Sequence, residues 1–531
     1  MKSRQVSSGH DGYDVVVVGA GHNGLVSAAY LARAGLRVVV LEARSSVGGC
    51  ASTVDALDGA RVNICNCDHS LFLATPIAEE LDLARFGLRY LGVDPTQLSV
   101  GWDGEAPWFL FRDPARTLDG LALACPNEVE NYRRYLRTAI PAAELVLELA
   151  CAPPTPARVA RRLLERRGRG ARILWSWSRR TVGSVVRSLF ATEALRSPVV
   201  TTGPAVWGLS PETPGTGLGA LGYAVKHVTG VARPVGGSGR LPEALARCLE
   251  DAGGTIRAPA RVSELLAEGD RIRGVGLGGG EVIEAPIVVA AADPRTALVR
   301  WLARPPGQME KVIRRWRSRP ERDGYESKVD AVIARRPRFR AVDESLGPRL
   351  GVEEPLVPTT IVSPGLDEIA RAHEAMEKGE VAARPMFYVN VPSVLDEALR
   401  VDEGDVFSLE VLFTPYRLQG GWSGSGEPAR WLDVFATLVE PGFLEAVRTW
   451  RVMTPPDYER DFGLERGLAP AYSGTALSAL LGKDRELTRY ETPVRGLYLT
   501  GAGTFPGAGI WGASGRNAAR VILSQLERPK R

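Results

Sequence analysis

The chain has 531 residues, 44% hydrophobic and 24% charged, with 66 basic against 62 acidic side chains. This length is too great for a single hydrophobic core and leaves room for two to four domains or one large α/β unit with insertions. The net charge of +4 does not indicate a nucleic-acid partner, and no stretch reaches the ~18 apolar residues of a membrane span.

The N-terminus and the cysteines indicate a reducing compartment. Residues 1–12 are polar and lack the apolar core of a signal peptide. The six cysteines are sparse and irregularly spaced, and they include no C-x-x-C, so they do not form a disulfide framework. We therefore expect a cytoplasmic protein.

Residues 13–43 predict a strand, a glycine turn, a helix and a second strand. Gly19 permits the tight turn, Gly21 lets the backbone approach a pyrophosphate, and Gly24 lets the helix pack closely on the strand. Glu42 ends the second strand, where an acidic side chain can accept a hydrogen bond from a ribose hydroxyl. The segment is thus a dinucleotide-binding fingerprint in its expected context.

The residues after Glu42 indicate which dinucleotide binds. Arg44 and the pair Gly48-Gly49 follow, and here the sequence resembles the FAD-binding flavoproteins of the amine-oxidase and phytoene-desaturase type. In that family the arginine and the glycine pair contact FAD. The resemblance implies FAD as cofactor and an α/β fold, in which a Rossmann-like FAD-binding domain carries an inserted α+β substrate domain.

Three later segments resemble the same family. Residues 234–262 are similar to its Pro-x-Gly-Gly segment, and in relatives the backbone at the Val262 position holds the adenine. Residues 286–294 form an apolar strand whose end, with Asp293, is similar to that of carotenoid desaturases. Residues 495–523 are close to the C-terminal flavin-binding motif of phytoene desaturases.

The C-terminal motif is rich in small residues that would let the backbone lie against the isoalloxazine ring. The resemblance implies flavin contacts from Gly501, Gly503, Gly509, Ile510 and Trp511. For Trp511, packing against the terminal helix is an equally good expectation.

These matches predict how the chain divides into domains. Residues 11–90, 235–300 and 485–531 should build a discontinuous FAD-binding domain. Residues 91–234 and 301–484 should build the substrate-binding domain over the flavin.

Within the substrate domain, the partly alternating stretches Met386–Val391 and Phe407–Thr414 predict strands of an antiparallel sheet. Residues 158–180 contain nine arginines and one glutamate among leucines and tryptophans. This composition suits either a solvated helix pair, which we favour, or a peripheral contact with an anionic membrane surface. No nucleic-acid-binding fold accompanies it.

The sequence shows no second nucleotide fingerprint and no redox cysteine pair of the C-x-x-C kind. We therefore expect electrons to come from the organic substrate and to leave to O2, a quinone or another carrier.

The stretch ICNCDHS, residues 64–70, concentrates groups that could take part in chemistry. His69 is the preferred catalytic candidate, because an imidazole can take a proton from an O–H or N–H as hydride leaves, and Asp68 could orient it. A neutral structural histidine is the alternative. Cys65 and Cys67 are spaced too tightly for a usual zinc site, so we predict no metal, and their disulfide would be strained.

The predicted function is that of an FAD-dependent oxidoreductase which dehydrogenates a small-molecule or lipid substrate by hydride transfer to flavin N5. Alcohol or amine oxidation and carbon–carbon desaturation both remain open. Two further alternatives are a flavin-dependent isomerase of a polyene or lipid, and a non-catalytic lipid- or prenyl-binding protein, since the fold also resembles that of the Rab GDP-dissociation inhibitors.

Overall fold

The computed structural model describes residues 12–57, 59–65, 67–302, 304–352, 359–402, 404–469, 472, 479 and 482–527. The strands are β1 Val15–Val18, β2 Val38–Leu41, β3 Thr53–Ala56, β4 Ala60–Asn63, β5 Tyr90–Gly92, β6 Gln97–Gly101, β7 Trp108–Leu110, β8 Ala232–Pro234, β9 Thr255–Arg257, β10 Val262–Glu268, β11 Arg271–Leu277, β12 Val282–Glu284, β13 Ile287–Ala290, β14 Glu326–Ile333, β15 Thr359–Ser363, β16 Phe387–Asn390, β17 Asp405–Leu412, β18 Val447–Met453 and β19 Leu497–Leu499.

The helices are α1 His22–Arg33, α2 Ser70–Leu73, α3 Ile77–Glu80, α4 Pro114–Ala124, α5 Val129–Ala150, α6 Pro156–Glu165, α7 Ala171–Trp177, α8 Val182–Leu189, α9 Glu193–Thr201, α10 Gly222–Thr229, α11 Arg240–Asp251, α12 Glu310–Ser318, α13 Leu346–Arg349, α14 Leu366–Glu377, α15 Glu427–Ala436, α16 Phe443–Ala446, α17 Pro455–Phe462, α18 Arg485–Thr488 and α19 Ala513–Leu526. Short 3₁₀ turns connect several of them.

The first of the two large β-sheets is parallel and has five strands in the order β19-β13-β1-β2-β9. Its central strand is four consecutive valines, all buried, as expected of a parallel strand that is covered on both faces. Val15 and Val17 pack against α1, α11 and α19, whereas Val16 and Val18 pack against β10, β11 and α12. The α/β fold expected from the sequence is therefore present.

The second large β-sheet has seven strands in the order β18-β14-β17-β16-β15-β6-β7. It is antiparallel except where β6 runs parallel to β15. The two stretches predicted as strands of an antiparallel sheet are confirmed as β16 and β17, which are neighbours. The domain boundaries proposed from the sequence stay a prediction.

The two faces of this sheet differ sharply in polarity. One face carries the apolar core, with Val329, Leu409 and Val389 among its buried members. The opposite side, which we call the polar face, places hydrophilic side chains in register across neighbouring strands. One row contains Thr359, Asn390, Ser408, Asp330 and Arg451, and the next row contains Tyr388, Glu410 and Lys328.

The β3–β4 hairpin closes over one end of the polar face. Val62 of the hairpin packs with Val332 and Val406 of the sheet. At the next residue of the hairpin, the carbonyl of Asn63 accepts a hydrogen bond from the Lys328 ammonium at 2.5 Å. Because this hairpin directly follows the Gly48-Gly49 pair, the polar face lies beside the dinucleotide-binding elements.

Candidate active site

The turn between β1 and α1 has the geometry of a phosphate-binding turn. Gly19 has a φ of +98°, and a Cβ on Gly24 would lie 2.1 Å from the Gly19 carbonyl oxygen, so only glycine allows this helix-to-strand approach. A Cβ on Gly21 would meet no atom of the described residues within 4 Å. Gly21 therefore faces open space at the N-terminus of α1, where backbone N–H groups attract anions.

Glu42 joins three of the predicted cofactor segments. Its carboxylate accepts hydrogen bonds from the N–H of Ala20 at 2.8 Å and from the N–H of Arg44 at 2.9 Å. Its carbonyl accepts the N–H of Ala260 at 2.6 Å, two residues before Val262. Val262, which is buried, is thereby brought to the end of β2.

The second glycine pair lies against the first turn. The N–H of Gly48 donates to the Ala20 carbonyl at 2.9 Å, and a Cβ on Gly49 would lie 3.4 Å from the Cα of Gly21. The Arg44 guanidinium donates to Ser52 at 3.2 Å and lies 4.3 Å from the centroid of the Phe462 ring.

The glycines near the C-terminus bring β19 and α19 to the same place. Gly501 and Gly503 lie against the end of β13: a Cβ on Gly503 would lie 2.6 Å from Pro294, and one on Gly501 would lie 3.7 Å from the carbonyl carbon of Ala291. The Asp293 carboxylate accepts the N–H groups of Arg295 and Thr296 at 2.9 and 3.1 Å, so it caps the turn after β13.

The remaining residues of the C-terminal turn differ in their surroundings. The Gly509 carbonyl accepts a hydrogen bond from His22 of the first turn, and Ile510 packs at the edge of the core beneath α1. Trp511 is 8% exposed and lies in an apolar cluster with Leu147 and Ala150 of α5 and with Ala513 of the terminal helix. Direct contact of these residues with FAD stays a prediction.

His69 is completely buried, and both of its ring nitrogens are occupied. Nδ1 lies 2.9 Å from the hydroxyl of Tyr90, and Nε2 lies 2.7 Å from the hydroxyl of Ser238. A neutral imidazole has one donor and one acceptor, which two hydroxyl groups satisfy. Burial, aided by the nearby His22, lowers the pKa of His69 to about 3. The geometry thus favours a neutral structural histidine, and a catalytic role for His69 stays an untested prediction.

Asp68 does not orient the His69 ring, which corrects the pairing suggested by sequence. Both imidazole nitrogens bond to hydroxyls, and the Asp68 carboxylate instead accepts the Nε–H of Arg233 at 2.7 Å and the hydroxyl of Thr359 at 3.2 Å. The two adjacent side chains therefore have different neighbours. Asp68 therefore anchors β8 to the polar face.

Two glutamates that the sequence interpretation missed form a carboxyl pair on the polar face. Glu326 and Glu410 lie on adjacent strands within hydrogen-bonding contact, next to Lys328. Burial, followed by the Glu410 charge, raises the pKa of Glu326 well above its ordinary value. Burial also raises the pKa of Glu410, against the opposing effect of Lys328. Two like charges this close cannot both ionise readily, so ionisation of one carboxyl group disfavours ionisation of the other.

The carboxyl pair borders the predicted flavin segments through two cysteines. The thiols of Cys50 and Cys65 form a hydrogen bond, which lowers the pKa of Cys50 and raises that of Cys65. Both thiols interact electrostatically with Glu326. Since Cys50 directly follows Gly49, the carboxyl pair lies near the second glycine pair.

The sequence did contain one signal for this cluster. In β14 the order Glu326, Lys328, Asp330 alternates with small or apolar residues, as in a strand with one polar side. All three lie in a strand flanked by other strands on both sides. Charged residues spaced two apart in a central strand would therefore have identified the polar face.

Comparison with known proteins finds two family models and several full-length relatives that resemble this chain. Residues 17–81 match the NAD(P)-binding Rossmann-like domain, and residues 153–344 match the flavin containing amine oxidoreductase family. The lycopene-forming phytoene desaturase of Pseudescherichia vulneris is 26% identical over 96% of this chain and 99% of the relative. The chain is thus similar to phytoene desaturases and to flavin containing amine oxidoreductases, as the sequence motifs predict. Its cofactor is FAD, and it is an oxidoreductase.

Other relatives of this flavoprotein cover its whole length. Pyridine nucleotide-disulfide oxidoreductase domain-containing protein 2 of Mus musculus is 29% identical over 97% of this chain and 94% of the relative. The structure of putrescine oxidase bound to putrescine superposes with a TM-score of 0.61 at 17% identity, covering 97% of this chain and 99% of the other. The structural likeness supports the fold alone.

The described residues also bear on membrane-spanning helices, on metal binding and on the arginine-rich helix pair. Among the described residues, no helix combines the length and apolarity needed to cross a membrane. The same residues include no group of three or more His, Cys, Asp or Glu side chains placed to hold a metal ion. Helices α6 and α7 form the predicted helix pair, on which Leu164 is 79% and Trp175 54% exposed. A membrane contact there stays a prediction.

Substitutions at two glycines of the first turn should separate packing from cofactor binding. Gly24→Ala should destabilise the FAD-free protein by about 1–3 kcal/mol, because the added methyl overlaps the Gly19 carbonyl. Gly21→Ala should leave that stability unchanged, since its φ of −66° suits alanine and no atom lies in the way. It should nevertheless weaken FAD binding about tenfold or more, which is about 1.4 kcal/mol. Thermal unfolding and fluorescence titration with FAD measure the two effects; unchanged FAD affinity in Gly21→Ala would place the pyrophosphate elsewhere.

His69→Gln tests the structural assignment through pH. The folded-state pKa of about 3 lies below the ordinary 6.5, so protonation favours the unfolded chain. The stabilisation is complete above pH 6.5 and falls as the pH drops toward 3. Between pH 7 and pH 5, wild type should lose about 2 kcal/mol more than His69→Gln in denaturant titrations. A variant with intact pH-dependent stability but flavin reduction slowed about 10²–10⁴-fold would instead support a catalytic base.

Proposed function

We propose that this flavoprotein dehydrogenates a polar substrate at a C–O or C–N bond. The observation that carries the proposal is the Glu326–Glu410 carboxyl pair, which is half-buried beside Lys328 on the polar face. Bound FAD supplies the hydride acceptor. The protein's own residues must then hold the substrate's polar group and accept its proton.

The carboxyl pair is suited to that proton transfer. Removing hydride from a carbon that bears an amine or hydroxyl group leaves an N–H or O–H proton to be taken up. With one shared proton, the pair offers one carboxylate as acceptor and one neutral acid as hydrogen-bond donor. The raised pKa of both groups moves the accepting carboxylate closer to neutral pH, where a general base works best.

Lys328 supports the pair by placing a positive charge next to it. Its ammonium is tied to the Asn63 carbonyl and to the Asp330 carboxylate. Asp330 in turn is completely buried and accepts hydrogen bonds from Ser408 at 2.6 Å and from Arg451 at 3.0 Å. These fixed bonds keep the charge in place while a substrate exchanges with solvent.

Carbon–carbon desaturation is the second candidate, supported by the relative named phytoene desaturase. A hydrocarbon chain on the polar face would remove water from Glu326, Glu410 and Lys328 without giving them a hydrogen-bond partner. Such desolvation costs roughly 1–3 kcal/mol per neutral polar group and more for an ion. The polar face therefore supports alcohol or amine oxidation over desaturation, and equally over isomerisation of a polyene.

Glu410→Gln tests the proposal because it keeps the side-chain volume but removes the proton acceptor. Anaerobic flavin reduction by an amine or alcohol substrate should slow by about 10²–10⁴-fold, while FAD content and melting temperature are retained. In wild type the rate should rise with pH, because the carboxylate is the active form and its pKa is raised above 4.5. Glu440→Gln, at an exposed position in the same part of the chain, is the matched control. Equal rates in Glu410→Gln and the control would refute the proton-acceptor role.

A further inference from the structure

A second polar site lies on the same face of the sheet, around Arg233 of β8. This side chain is only 3% exposed. Its Nε–H is bound to Asp68, and its Nη2 donates to Thr359 at 2.5 Å and to Asn390 at 2.6 Å. Its Nη1 is buried and meets no acceptor in the described part of the chain. A buried guanidinium nitrogen without an acceptor is costly and indicates that a bound group supplies one.

Lys226 of α10 provides a second cation close by. Its ammonium donates to the side-chain carbonyl of Gln97 at 2.6 Å, and no carboxylate of the described residues lies within ion-pair distance. Gln97 lies on β6 beside β15, whose Thr359 binds Arg233, so Lys226 and Arg233 are held over neighbouring strands of the sheet. Burial lowers the pKa of Lys226 to about 8; the Asp68 charge raises this pKa and the Arg233 charge lowers it further. At neutral pH the ammonium form still predominates.

The charges of these three groups do not cancel. Arg233 and Lys226 contribute two positive charges, and Asp68 contributes one negative charge. An uncompensated buried cation is expensive unless an anion pairs with it. The unfilled Nη1 of Arg233 and the ammonium of Lys226 together therefore form a binding site for an anionic group, and a carboxylate can accept a hydrogen bond from each of them.

The sheet register places this anion site close to the carboxyl pair. Arg233 is bound to Asn390, whose neighbour across the strands is Ser408, while Tyr388 pairs with Glu410. Strands lie about 4.8 Å apart and alternate residues of a strand about 6.7 Å apart, so the backbone positions of Asn390 and Glu410 are separated by roughly 8 Å. The anion site and the carboxyl pair therefore lie at neighbouring positions of the same face of the sheet.

We propose that Arg233 and Lys226 bind a carboxylate of the substrate, and that the substrate's amino or hydroxyl group lies at Glu326 and Glu410. The substrate class is then that of amino acids or hydroxy acids. This inference rests on the proposed oxidation of a polar substrate and adds the group that determines its specificity. In the reaction the substrate carbon loses a hydride to FAD and its N–H or O–H loses a proton to the carboxyl pair, which leaves an imino or oxo acid.

The test compares matched substrates with the holoenzyme. Anaerobic flavin reduction is measured with a panel of amino acids and hydroxy acids, each beside the amine or alcohol that lacks its carboxylate. Wild type should prefer the acids by about 10- to 100-fold in kcat/KM, as expected for a buried charge-assisted hydrogen bond. Lys226→Met should reduce this preference mainly through KM for the acids, and Lys226→Arg should retain most of it. Lys311→Met, at an exposed position of α12, is the matched control.

The outcomes separate this inference from the proposed function. If wild type reduces its flavin equally fast with amines or alcohols that lack the carboxylate, the anion site is wrong, whereas polar-substrate oxidation stands. If only polyenes reduce the flavin, both are wrong. The wild-type comparison needs no variant, so it remains decisive if Lys226→Met does not fold. An unchanged preference in a folded Lys226→Met would also overturn the role of Lys226.

Discussion

The arrangement of the site depends on one constraint: charged side chains buried on the polar face must find partners. Asp330 has no exposed surface, yet Lys328, Ser408 and Arg451 satisfy it from three directions. Lys328 also bonds to the Asn63 carbonyl, which attaches the sheet to the β3–β4 hairpin. Removing Asp330 would break the hydrogen-bonded ion pair of the buried Lys328 ammonium, a change that typically costs about 3–5 kcal/mol. This network therefore fixes where the β3–β4 hairpin meets the seven-stranded sheet.

Close backbone packing provides the other half of the site. The first glycine turn and the C-terminal turn both pack on the end of β13, because Gly24 and Gly503 have no Cβ to meet Ala291 and Pro294. Such contacts exclude side chains and leave backbone N–H groups facing the space before α1. The cofactor side of the site is thus built from backbone and the substrate side from charged side chains.

The cofactor side could be predicted from sequence because its signals are local. A strand, a glycine turn and a helix follow one another within about thirty residues, which is the length of a βαβ unit. The resemblance of Arg44, Gly48 and Gly49 to a known fingerprint then identified FAD. Strands β16 and β17 were predictable for the same reason, since alternation of apolar residues is read along one segment.

The substrate side could not be predicted in this way. Glu326 and Glu410 are 84 positions apart and meet only through the register of β14 and β17. The sequence interpretation chose His69 because it lies in a conspicuous cluster, but its role depends on Tyr90 and Ser238, which come from distant elements. Arg233 could not be identified because a single arginine in a three-residue strand forms no pattern.

A crystal structure of the holoenzyme, soaked anaerobically with a compound that reduces its flavin, tests the central claim most directly. The account predicts a nitrogen or oxygen atom of that compound within hydrogen-bonding distance of Glu326 or Glu410, beside the flavin. A ligand that lies over the flavin through an apolar chain, with the carboxyl pair remote from it and still hydrogen-bonded only to itself, would contradict the account.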